Sequence, residues 1–325
     1  MLTLNLTDIF SHLSASGILC NSRNAYFAQK YNMRGYDYFL RLVVLIGLAL
    51  FGMLVTTGVS ALILMSSGLS MTEIMKLSEM GMQDLSAGLI RALLAAQHLF
   101  VFILPGLTFG FIFYRSKIFK GFQLSKNPGL MLAVSGILFL IASYPLVNLS
   151  FMLNEATPLP AWAGNFENQA EDTLKKVLEM NSPLIFIFNL LLIAFLPGIG
   201  EELIFRGIIQ KQFTGILKNP IAAIWISAII FSAIHLQFEG FFPRVVLGAT
   251  LGYLYYWTGN LWVPMIAHAF NNGIQIVLIY FTGMDLSEFD EKGTDQLQWW
   301  MIPLSVGAMY LIYNTITKKR TAIEF

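Results

Sequence analysis

The fold class this chain predicts is all-α, a polytopic membrane helical bundle with about eight transmembrane helices, and three observations lead to it. Of 325 residues, 56% are hydrophobic and only 12% charged, whereas soluble domains carry about 25% charged residues. Apolar runs near the bilayer-crossing length of about 20 residues recur along the chain. Between those runs, basic and acidic residues collect in alternate loops.

The runs fall at about 38–66, 89–114, 129–152, 182–205, 220–237, 243–258, 261–282 and 297–317. Residues 1–37 precede the first and read as a tail, because MLTLNLTDIFSHLSASG lacks the basic start and sustained apolar stretch of a cleaved signal. The first three runs hold one candidate buried ionisable group, His98. The loop at about 153–181 contains ENQAEDTLKKVLEM, an amphipathic stretch that predicts a short surface helix. The fourth run leads into PGIGEELIFRG, where Pro197, Gly198 and Gly200 predict a kink and close approach of neighbours. The sixth run is short and separated from the seventh only by TGN, so a tight helical hairpin is expected, with Gly259 and Asn260 as its turn. Residues 318–325 read as a second tail. The whole is one transmembrane domain, 38–317, with its chemistry concentrated in 182–282.

Loop charge gives the orientation, since Lys and Arg accumulate on the cytoplasmic side. With the N-terminus inside, the cytoplasmic segments hold Arg23, Lys30, Arg34, Arg41, Arg115, Lys117, Lys120, Lys126, Arg206, Lys211, Lys218, Lys318, Lys319 and Arg320. The opposite loops collect acids: Glu73, Glu79 and Asp84, then Glu155, Glu167, Glu171, Asp172 and Glu179, then Asp285, Glu288, Asp290, Glu291 and Asp295. Both termini are therefore expected to be cytoplasmic. A formal net charge of +1 gives no basic excess for nucleic acid, so the expected surroundings are the lipid bilayer. The single cysteine, Cys20, excludes an intramolecular disulfide framework and a cysteine-based metal cluster within the chain.

Charged groups in the fourth run need a reason, because each costs roughly 2.5–3.5 kcal/mol near a bilayer centre. Glu202 and Arg206 are spaced i, i+4 with the acid first, the favourable order for an ion pair on one helix face. Glu201 points about 100° away and has Phe205 four residues on, so its own helix does not neutralise it. Two of the four histidines lie in later runs: His235, four residues after Phe231, and His268, four residues before Asn272. A carboxylate with a histidine can activate a water, by taking its proton or by jointly holding a metal. A second histidine with an asparagine amide can donate hydrogen bonds to an oxyanion. That set suffices for amide hydrolysis, whereas HExxH, GxSxG and a phosphate loop are all absent from the sequence.

EELIFR at 201–206, FSAIH at 231–235 and HAFNN at 268–272 resemble, in this order, the EExxxR, FxxxH and HxxxN signatures of the CPBP family. That family comprises the CAAX-processing and bacteriocin-immunity-related (Abi) intramembrane proteases, and the resemblance covers about residues 182–282. It implies that Glu201 and His235 activate the attacking water, that Glu202 and Arg206 hold the helix, and that His268 and Asn272 stabilise the oxyanion. It also implies a membrane-associated or lipid-modified polypeptide as substrate. A divalent metal such as Zn2+ on Glu201, His235 and His268 and a metal-free glutamate mechanism both remain open at this point. So do a non-catalytic scaffold or immunity factor, a proton-coupled transporter using the same buried groups, and haem held by the two histidines.

Overall fold

The computed structural model of the protein describes residues 35–80, 84–158, 161–283 and 297–321. The predicted N-terminal tail up to residue 34, Cys20 and the acidic stretch 285–295 lie outside them. Among the described residues the chain forms ten helices and no strand: α1 Gly35–Ser66, α2 Met71–Met80, α3 Ala87–Gly121, α4 Gly129–Glu155 and α5 Ala161–Val177 come first. α6 Pro183–Leu217, α7 Pro220–Ala233, α8 Phe241–Thr258, α9 Trp262–Thr282 and α10 Met301–Thr321 follow.

Local chemistry sets the starts and turns. Ser70 and Glu73 form a reciprocal capping box at α2, with Glu73 Oε2 accepting from the Ser70 backbone N–H at 2.8 Å. Ser182 caps α6 ahead of Pro183, and Asn219 caps α7 ahead of Pro220 by accepting from the N–H groups of Ile221 and Ala222. The expected hairpin turn is present: Gly259 takes φ +59°, a left-handed conformation favoured by glycine, and Asn260 Oδ1 accepts from the Trp262 N–H at 2.9 Å. ENQAEDTLKKVLEM is largely helical, as predicted, and belongs to the longer α5.

All eight apolar runs contain helix, but the count of eight spans is not confirmed. Five helices are by themselves long and apolar enough to cross a membrane: α1, α3, α4, α6 and α9; α7 is apolar but shorter. α8 and α10 are long enough but carry proline, tyrosine and threonine, with Arg244 in α8 and Asn314 in α10, which lowers their apolarity. α8 packs on α4, α7 and α9, and α10 packs on α4.

Two boundaries also differ from expectation. The fourth run was expected to end at 205, yet α6 continues to Leu217, because Glu202 and Arg206 find partners inside the bundle and do not need water. The fifth was expected to reach 237, yet α7 ends at Ala233 for a reason given below. Arg91 adds a second buried ionisable group to the first three spans: it donates to Val177 O, Glu179 O and Asn189 Oδ1 and so caps the end of α5. Outward-facing side chains such as Leu54, Phe111, Leu184 and Leu304 are exposed, the arrangement expected of surfaces in contact with lipid.

Both 35-residue helices are interrupted. Wide, π-type turns run over His98–Ile103 in α3 and over Leu190–Phe195 in α6, and each leads straight into Leu-Pro-Gly, at 104–106 and 196–198. Pro105 and Pro197 lack an N–H, and their rings crowd the carbonyl four residues earlier, so the i, i+4 ladder breaks there. The kink predicted at Pro197 thus has a twin at Pro105. A third π segment, Phe205–Ile209, begins three residues after Glu202 and contains Arg206. Segments of this kind are frequent at functional sites.

Candidate active site

α6, α7 and α9 bring the sequence-predicted side chains together. α6 and α9 approach closely at Gly198, where an added Cβ would stand 3.0 Å from the Ala269 backbone nitrogen and 3.1 Å from its Cα. That contact sets Glu201, one turn further along α6, beside His268 on α9. Glu201 is buried, and its Oε2 lies 3.9 Å from His268 Nε2.

Glu202 does more than hold its helix. Its Oε1 accepts from Arg206 Nη1 at 2.6 Å and also from His268 Nδ1 at 2.8 Å. Arg206, buried, donates further through Nη2 to Gly248 O at 2.8 Å, tying α6 to α8, and its guanidinium lies 5.0 Å over the Phe231 ring. The predicted Glu202–Arg206 pair is therefore present, while the expectation that Glu201 would be the acid engaged by the histidines is only half met. Glu202 makes the hydrogen bond and Glu201 faces the far side of the same imidazole. Helix periodicity tells that the two acids diverge; which one meets α9 depends on how the helices cross.

The histidine tautomers follow from their partners. A carboxylate in an ion pair only accepts, so His268 Nδ1 carries the proton and Nε2 is turned toward Glu201. His235 Nδ1 lies 2.7 Å from Phe231 O, which likewise only accepts, leaving Nε2 with a lone pair in the neutral ring. This bond also explains where α7 ends. The imidazole takes the Phe231 carbonyl that a continuing helix would give to the His235 N–H, and that N–H turns back to Ser232 O. His235 thus sits just beyond α7 and not within a span.

Phe231 separates the two imidazoles, edge-on to both, with centroids 4.9 Å from His235 and 6.0 Å from His268. It packs on Phe205 as well, which places it as the predicted supporting ring. The segment after His235 is anchored from outside the core. Glu167 on α5 accepts from the N–H groups of Phe238 and Glu239, and Asn154 on α4 donates to Phe238 O and accepts from the Phe242 N–H.

Asn272 is tied to the kink. Pro197 releases the carbonyl of Ile193, and Asn272 Nδ2 donates to that oxygen at 3.1 Å while its Oδ1 accepts from Asn271. One amide hydrogen of Asn272 is thereby committed and one remains for another acceptor.

His98 was missed as a site residue. It opens the first π segment, its Nδ1 is buried without a hydrogen-bond partner, and it lies within electrostatic reach of both His235 and His268. The signal for it was present in the parallel between HLFVFILPG and LLLIAFLPG: the second break leads to Glu201, and the first begins at a histidine.

Both histidines give Nδ1 to protein acceptors, which leaves each Nε2 as the nitrogen a metal would use; among the described residues no group of three or more His, Cys, Asp or Glu side chains is gathered closely enough to hold an ion. What the arrangement offers is a buried carboxylate, imidazole nitrogens with lone pairs and an amide donor, which suffice to deprotonate a water and stabilise an oxyanion.

Comparison with known proteins places this region. The curated protein YpbD of Bacillus subtilis (strain 168), itself uncharacterized, is 32% identical over 121 residues, 36% of this chain and 57% of that protein. The chain thus spans little more than half the length of the curated relative it matches. No solved structure matches. Residues 183–274 match the family model described as type II CAAX prenyl endopeptidase Rce1-like. EELIFR, FSAIH and HAFNN all fall within that match, so the helices carrying the site lie in the segment that is similar to the Rce1-like family.

Proposed function

We propose that this protein is an intramembrane endopeptidase that hydrolyses a peptide bond of a membrane-associated or lipid-modified polypeptide, with Glu201 as the base for the attacking water. The observation that carries this reading is the buried Glu201 carboxylate, 3.9 Å from an imidazole whose other nitrogen is clamped by Glu202. A water between Glu201 Oε2 and His268 Nε2 can donate one hydrogen to each, which turns its oxygen lone pair toward an incoming carbonyl. Glu201 takes the proton as the oxygen attacks. His235, with Nε2 as its free position, supports the same water or carries the proton to the leaving amine. The remaining Asn272 N–H is the donor for the oxyanion, while His268 Nε2 holds the water. Glu202 and Arg206 position His268 and hold α6 to α8.

The test uses full-length protein in liposomes with two membrane peptides of one sequence, one carrying a prenyl group on a C-terminal cysteine and one unmodified. Fragments are read by mass spectrometry. Wild type is expected to cleave at least one, and His268→Ala and His235→Ala each to lose about 10²-fold or more. Undiminished cleavage by both variants would overturn the assignment.

A further inference from the structure

α6 carries a polar stripe that continues away from the site. Glu202, Arg206, Gln210 and Thr214 recur every four residues, and the facing helix α8 meets the stripe with backbone carbonyls at the same spacing. Arg206 Nη2 donates to Gly248 O at 2.8 Å, and one turn on Gln210 Nε2 donates to Gly252 O at 3.1 Å. Three side-chain atoms along this line are buried and make no hydrogen bond: Glu202 Oε2, Gln210 Oε1 and Tyr255 Oη. Their residues are all more than nine-tenths buried. At its far end the stripe opens into a pocket lined by Gln123, Gln210, Lys211, Thr214, Tyr255 and Tyr256, with a half-buried rim. Lys211 at that rim donates to Gly121 O at 2.6 Å and lies 5.4 Å from the Tyr255 ring centroid.

We propose that the α6 stripe from Gln210 to Glu202 and the Gly248–Tyr255 face of α8 form a hydrated seam, which admits water to Glu201 from the end of the bundle bearing Lys211. The inference rests on the hydrolytic reading for its purpose, since hydrolysis consumes a water that the lipid around the spans does not supply. Unpartnered buried oxygens, each costing about 1–3 kcal/mol if left dry, recruit water where two or more polar groups converge, and Gln210 and Tyr255, whose Oε1 and Oη are unpartnered, are residues of one pocket. Loop charge predicts this end to be cytoplasmic.

Thiol accessibility tests the seam whether or not a substrate is in hand. Cys20, the single native cysteine, is replaced by serine. Gln210→Cys, Tyr255→Cys and, as apolar-core controls, Leu254→Cys and Leu140→Cys are then made singly and treated with iodoacetamide in liposomes. A thiol ionises and alkylates only in contact with water, so positions 210 and 255 should react at least about tenfold faster than 254 and 140. Equal rates would refute the seam whatever the protein cleaves. Once cleavage is established, Gln210→Leu should lower kcat about tenfold with KM unchanged, because it dries the supply without touching substrate. Faster labelling with an unchanged kcat would leave a hydrated pocket that does not feed the site, and would overturn the proposal. Labelling as expected from a protein that cleaves nothing would instead count against the protease reading alone.

Discussion

Arg206→Met should destabilise the protein far more than the loss of one hydrogen bond. The Arg206 and Glu202 side chains are 1% and 0% exposed and meet at 2.6 Å. Removing one partner of such a pair leaves a buried charge uncompensated, at about 3–5 kcal/mol. His268 still donates to Glu202 Oε1, which keeps the loss toward the lower end, whereas Gly248 O loses its donor, at about 1–3 kcal/mol. The combined loss is about 4–6 kcal/mol, and with about 2–4 °C per kcal/mol for a large domain the thermal midpoint should fall by about 8–24 °C. Tryptophan fluorescence on heating in detergent micelles reads it. Glu202→Gln alone leaves Arg206 as the uncompensated charge, but combining the two substitutions removes both charges. The double variant should therefore be more stable than the sum of the single losses by about 1.5 kcal/mol or more. Additive losses would refute the claim that these residues form one coupled unit beneath His268.

Gly198→Ala forces a Cβ to 3.0 Å from the Ala269 backbone, which cannot rotate away, so α6 and α9 must separate. A stability loss of about 1–3 kcal/mol is expected, with a fall in kcat larger than stability accounts for, because the Glu201–His268 separation widens; a fall in neither would refute the close-approach argument. His235→Asn separates two roles of one imidazole, since an amide nitrogen can replace Nδ1 at Phe231 O but nothing replaces Nε2. The melting midpoint should stay near wild type while cleavage drops about 10²-fold; retained cleavage would make His235 a helix cap only.

Much of this architecture is legible before any coordinates. The apolar runs locate the helices, the i, i+4 order of Glu202 and Arg206 identifies their ion pair, and the TGN turn places α8 beside α9. What could not be read depends on tertiary geometry. The crossing of α6 with α9, set by the close approach at Gly198, decides that Glu202, and not Glu201, hydrogen-bonds His268. His235 leaves the predicted span because a side chain outcompetes a backbone N–H for one carbonyl, a choice that hydropathy cannot register. Asn272 answers a carbonyl freed by a proline 75 positions earlier in the numbering, so neither residue explains itself alone. Proline, tyrosine and threonine within α8 and α10 depress the apolarity by which spans are counted.

The central claim is that the carboxylate at 201 takes a proton from the attacking water. Glu201→Gln preserves the shape of the side chain and removes its basicity, and turnover of a cleavable peptide in liposomes measures the consequence. The account predicts a kcat lower by about 10²-fold or more with an unchanged melting midpoint. Turnover at the wild-type rate in a folded Glu201→Gln protein would contradict it.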